Sequence, residues 1–129
     1  MKKYLITAAA LVLSTGAAMA DPAEGNWNTQ PDDNGNTGTV IMTLCGDTLC
    51  GTLGQSRDSN GDPFTSVNEG RRIVWDMEPR GNGQYRRGRI WAPDRDQTYR
   101  ATMELAGNQL TVEGCFLFIC REQVWTRAD

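Results

Sequence analysis

Alternation of apolar and polar residues with a period of two, cut at short intervals by turn dipeptides, is the feature that most constrains this chain. From Asp21 onward no long apolar stripe with helical spacing occurs. Eight segments read as strands: 25–30, 38–45, 49–55, 71–78, 84–92, 98–105, 110–116 and 120–127. Asn82-Gly83 is a strong two-residue hairpin signal. Pairing outward from it sets Trp75 opposite Ile90 and Met77 opposite Gly88 on an apolar face. Asp76 then meets Arg89, and Glu78 meets Arg87, as opposite charges on the other face. In that register Trp75 and Tyr99 point inward, while Tyr85 and Trp91 point outward. Gly107-Asn108 behaves likewise. It pairs Leu105 with Leu110, Met103 with Val112, Ala101 with Gly114 and Tyr99 with Phe116, and sets Glu104 against Thr111 and Thr102 against Glu113. Short, regularly spaced strands of this kind predict an all-β fold, an antiparallel barrel or sandwich, with one long loop over 56–70.

The first twenty residues obey a different rule. Lys2 and Lys3 precede an apolar run from Tyr4 to Leu13, and small residues lead to Ala18-Met19-Ala20. That order is a cleavable secretory signal, with the cut expected between Ala20 and Asp21. The apolar run is too short to span a bilayer, and the remainder has no transmembrane candidate. The expected organisation is a signal peptide over 1–20 and a single β domain over 21–129, located in the periplasm or secreted. Cys45, Cys50, Cys115 and Cys120 then read as two disulfides rather than a zinc site. Four cysteines allow three connectivities. A hairpin with Gly46 to Leu49 in its loop would oppose Cys45 and Cys50, which favours local pairs. A link such as Cys45–Cys120 would require distant strands to meet.

Composition narrows the chemistry. The chain has no histidine, and both lysines lie in the signal. Eleven arginines against sixteen acids leave the exported part at a net charge of −5. A nucleic-acid partner is not expected from such a balance. Without His or Lys there is no imidazole base, no His-paired nucleophile and no Schiff-base amine. No cofactor and no metal are expected. Asp58, Asn60, Asp62 and Glu69 match part of a calcium-loop spacing, but Pro63 stands where that loop needs glycine, so self-capping turns are favoured. Arginines at 71, 72, 86, 87 and 89 read as a face of cross-strand ion pairs. Phe116-Leu117-Phe118-Ile119 is anomalous, since opposing Cys115 and Cys120 puts four apolar residues at a turn.

Taken in order, Gly25-x-Trp27, Cys45…Cys50-Gly51, Asp58…Asn60, Gly88-x-Ile90-x-x-Pro93, Tyr99 and Trp125-Thr126-Arg127 resemble the bacterial exported domain-of-unknown-function family 2147 across essentially all of the exported part. Two positions depart from the usual pattern: Asn60-Gly61 replaces an asparagine-proline pair, and Gln97 stands where glycine is common. The resemblance implies a lipocalin-like, eight-stranded up-and-down barrel with no established activity. By the same likeness, Trp27 should pack on Arg127 and close the barrel base as a structural pair.

Three functional readings follow. The first is binding of a small apolar or amphipathic ligand, with Met42, Leu44, Trp75, Met77, Ile90, Tyr99 and Met103 lining the cavity and Gly51, Gly88 and Gly114 leaving room. The second is an envelope protein-protein interaction module that uses the apolar 116–119 loop. A carboxylate-based hydrolase ranks last, because no two acids are brought together by the sequence. The chain is therefore expected not to be an enzyme.

Overall fold

The computed structural model describes residues 20–128, so the predicted signal peptide lies outside them apart from Ala20. Nine strands follow in order: β1 (Gly25–Asn28), β2 (Thr37–Cys45), β3 (Thr48–Arg57), β4 (Pro63–Phe64), β5 (Arg72–Gly81), β6 (Gln84–Ala92), β7 (Gln97–Ala106), β8 (Gln109–Phe116) and β9 (Ile119–Ala128). Each long strand pairs with its sequence neighbour, and β1 pairs with both β2 and β9. The result is a closed, eight-stranded antiparallel barrel. The two residues of β4 fold back onto the end of β3 within the predicted long loop.

The β7–β8 hairpin has the register its turn predicts, with Leu105 opposite Leu110, Met103 opposite Val112 and Ala101 opposite Gly114. The β5–β6 hairpin does not. Gly81 pairs with Gln84 across Asn82-Gly83, but Pro79 then pairs with Tyr85, so Arg80 is an extra residue. Proline has no N–H for the ladder, and in a barrel without edges a bulge accommodates it. Beyond that bulge Val74 faces Ile90 and Trp75 faces Arg89. Asp76, at φ 56, breaks the alternation between inward Met77 and inward Val74, where β5 also shifts register against β3, so Trp75 is half-buried on the outward rung instead of inside. A second bulge, with Arg87 at φ 60, places two β6 residues against one of β7 between Tyr85 and Gly88. It turns Tyr85 into the core, where it is 2 % exposed. The expected pairs Asp76–Arg89 and Glu78–Arg87 do not form; Glu78 lies 3.6 Å from Arg80 instead.

The first cysteine hairpin is also tighter than predicted. Cys45 pairs with Thr48 around a two-residue Gly46-Asp47 turn, and Cys50 faces Thr43. The Cys45–Cys50 disulfide crosses this hairpin diagonally, with Cα atoms 5.8 Å apart. Because the register moved by two residues, the faces are preserved, and Val40 and Met42 still point inward. Cys115 and Cys120 stand directly opposite each other and are bonded, with Phe116 opposite Ile119.

One end of the barrel is filled. Trp27 is fully buried, and its Nε1 donates to the Ala23 carbonyl at 2.9 Å. The Arg127 guanidinium stacks 4.3 Å from the centroid of Trp27 and donates to the carbonyls of Glu24 and Pro22. A stacked, forked cation of this kind is a task for arginine rather than lysine. The Tyr85 hydroxyl donates to Asp21 Oδ1 at 2.6 Å, pinning the N-terminal segment across the barrel base. Above this plug, Met42, Met77 and Met103 are at most 1 % exposed. A β-carbon at Gly51 would lie 2.7 Å from Met42 Sδ and 2.9 Å from Val40 Cγ1, and one at Gly88 would lie 2.5 Å from Met77 Cε. The space these glycines vacate is taken by methionine, so they do not leave a cavity.

Gly51→Ala should therefore overpack the lower barrel. Two stiff valines flank the new methyl, so a loss of about 1–3 kcal/mol is expected, seen as a melting temperature lower by roughly 5–15 °C in calorimetry. Tyr85 supplies a pH test. Burial first, and then the hydrogen bond to Asp21, push its phenol well above its ordinary value. The unfolded phenol ionises near pH 10 while the folded one does not. Stability should be level below about pH 10 and fall above it. Tyr85→Phe should flatten that alkaline limb in denaturant titrations.

Candidate functional site

Alternation of the strands sorts the connections to two ends. The 21–24 segment and the turns at 46–47, 82–83 and 107–108 lie at the plugged end. The 29–36, 58–71, 93–96 and 117–118 connections ring the other end. There the barrel opens into a cleft of about 630 Å³. Its apolar floor is made by Leu53, Ile73, Ile90, Val112 and Trp125. Tyr99 packs down over Gly114, where an added β-carbon would meet Tyr99 Cβ at 3.1 Å. The walls are polar, with Thr29, Asn34 and Asn36 from the β1–β2 loop facing side chains of β9.

β9 sets the character of the cleft. Leu110, Val112 and Gly114 occupy inward rungs of β8, and their partners are Trp125, Gln123 and Arg121. These three climb the wall from floor to mouth, and their exposure rises in that order from buried through half-buried to exposed. Trp125 Nε1 donates to Gln123 Oε1 at 2.9 Å, fixing the middle of the row. Arg121 lines the mouth with no carboxylate within 4.0 Å among the described residues. Of the acids that line the cleft, Asp32, Asp33 and Asp94 are engaged elsewhere, while Glu122 beside Arg121 has no cation within 4.0 Å among the described residues. Arg95 lies 2.8 Å from Asp33 and 4.0 Å from Asp94. Asp32 Oδ1 accepts the amides of Asn34 and Asn36. Gln30 Oε1 accepts the Val124 amide and ties the loop to β9. Among the described residues no buried side-chain nitrogen or oxygen lacks a partner. The cleft thus presents one uncommitted guanidinium above an apolar floor.

Of the seven expected lining residues, Ile90 and Tyr99 line the cleft. Met42, Met77 and Met103 pack the lower barrel, Leu44 is 37 % exposed near the plugged end, and Trp75 sits on the outer surface rung. Arg121, Gln123 and Trp125 stand outside that expected set. Their signal was available, since opposing Cys115 to Cys120 already sets Gly114 against Arg121. Trp91 is 8 % exposed rather than solvated; its Nε1 donates to Asp96 and Arg71 stacks 3.5 Å from its centroid.

No metal site emerges from the clusters that carry the right atoms. Glu113, Cys115 and Cys120 bring their ligand atoms within 4.8 Å, but the sulfurs are bonded to each other. Asp58 Oδ1 accepts the amides of Asn60 and Asp62, a carboxylate capping its own loop.

Residues 25–127 match the model of a family described as uncharacterized protein conserved in bacteria, DUF2147. The chain belongs to this family. The DUF2147 barrel is similar in structure to protein HP1028 from the human pathogen Helicobacter pylori, a protein described as belonging to the lipocalin family. The TM-score is 0.63, with 14 % sequence identity over 82 % of each chain. At that identity the likeness is one of fold, and it makes this DUF2147 protein a lipocalin-like barrel. No curated protein matches the chain.

Proposed function

We propose that this DUF2147 protein is a non-catalytic carrier or sensor of a small amphipathic molecule, held in the open end of the barrel. The observation that carries the reading is the cleft itself. An apolar floor from Ile73 to Trp125 suits a hydrocarbon or ring system, and Arg121 at the mouth, unpaired among the described residues, suits an anionic head. The lipocalin-like fold supports the reading by offering a barrel mouth as a binding place, though fold alone names no ligand. Against catalysis stand the lack of His and of Lys outside the leader, and the commitment of Asp32, Asp33 and Asp94 to amides or to Arg95. Two disulfides and the basic, apolar, small-residue order of residues 1–20 support action in the periplasm or outside the cell.

Titration of the delipidated protein with a medium-chain fatty acid and with the matching alcohol tests both halves of the reading. Tryptophan emission should shift with either probe, and Trp125→Phe should remove most of the change. The acid should bind more tightly than the alcohol, by up to about fivefold for an ion pair at an exposed mouth. Arg121→Gln should erase that preference and leave alcohol binding intact. Unchanged emission across such amphiphiles would sink the reading.

A further inference from the structure

Leu117 and Phe118 form the two-residue turn of the β8–β9 hairpin at the open rim. Leu117 is 70 % and Phe118 101 % exposed, and Phe116 and Ile119 beside them are 44 % and 65 % exposed. Three observations set this tip apart. First, two other hairpins turn on Gly46-Asp47 and Gly107-Asn108, each with a positive φ at the glycine, the first turn residue. Leu117 occupies that same position with φ 55. A left-handed leucine is disfavoured by its own β-carbon, so the turn holds an apolar side chain where glycine would fold more easily. Second, Cys115–Cys120 closes the hairpin one rung below Phe116 and Ile119, so the four side chains stay out on a cross-linked stalk. Third, the tip stands on the rim of the cleft, and Phe116 touches Tyr99 of the cleft wall edge-on at 6.4 Å between centroids.

We propose that this tip inserts into the interfacial region of a phospholipid bilayer and sets the cleft mouth against the membrane. Four side chains are far too few for a stable protein interface, which engages about 20–30 residues a side, whereas a small apolar tip is sufficient to seat a protein in the headgroup boundary. The charges are arranged for it. Going down the hairpin, the first ionised side chain is Arg121, about 10 Å below the turn, and Arg100 flanks Cys115 on the neighbouring strand, about 7 Å down. Neither has a carboxylate within 4.0 Å among the described residues, and both are exposed. Glu113 and Glu122 lie a rung further from the tip than Arg121. On the adjoining rim, Asp96 accepts from Trp91 and Asp94 is within 4.0 Å of Arg95. Phenylalanine and leucine in the boundary, with arginine at phosphate depth, is the usual order of an interfacial anchor. The proposal concerns the rim alone and holds whether or not the cleft takes a ligand.

The test is flotation of the oxidised, ligand-free protein with phosphatidylcholine vesicles, with and without phosphatidylglycerol. The wild type should float with both. The double variant Leu117→Gly with Phe118→Asn copies the Gly107-Asn108 turn, so it should melt no lower than wild type and should lose at least tenfold in vesicle partitioning. Arg100→Gln should lower partitioning onto the phosphatidylglycerol vesicles about fivefold and leave the phosphatidylcholine value unchanged. A wild type that stays with the soluble fraction, a well-folded double variant that floats equally, or a tip captured by a protein partner in place of lipid would each overturn the proposal.

Discussion

Closure of the barrel through β1 is the constraint on which the rest of the structure depends. Four residues, Gly25–Asn28, supply the seam between β2 and β9 and leave no free edge among the eight barrel strands. A seam so short cannot hold by its ladder alone. Trp27 anchors it from inside, and Arg127 clamps Trp27 while binding two carbonyls of the segment before the seam. Tyr85 reaches the same segment through Asp21. Burial of an aromatic ring, a stacked guanidinium and a buried phenol therefore act on one place, which is also why that end of the barrel is shut.

Shutting one end determines where function can reside. The lower barrel is packed by methionines lying in the space that Gly51 and Gly88 leave. The upper barrel opens into the cleft, whose apolar floor is ringed by polar loop residues. The site, the uncommitted Arg121 and the exposed apolar tip all belong to that single open end. Its rim joins a water-exposed cation to hydrophobic groups above and below, an arrangement suited to molecules that are themselves divided between polar and apolar parts.

Much of the architecture was legible in the order of residues. The Gly107-Asn108 hairpin was readable to the individual pair, since no proline or bulge interrupts β7 or β8. The Asn82-Gly83 hairpin was readable at its turn but not along its length. Pro79 removes a ladder donor, and the irregularities at Arg80, Asp76 and Arg87 change which side chains face inward. Trp75 and Tyr85 consequently exchanged roles, and with them went much of the predicted lining. Trp91, too, was read as facing outward by alternation but is buried, with Arg71 stacked on its ring, a long-range contact that periodicity does not encode.

The sequence by itself determined the all-β class, the turns at Asn82-Gly83 and Gly107-Asn108, the local reach of the cysteines and the oddity of an apolar turn at Leu117-Phe118. These are properties of neighbours, settled by backbone conformational preference and the period-two pleat. Only the tertiary structure decided which end is open, which side chains share the cleft, and that Arg121 stands in its mouth with no carboxylate partner among the described residues. Those outcomes depend on how bulges add up around a closed ring of eight strands, and each bulge shifts every later rung relative to strands far away in the chain.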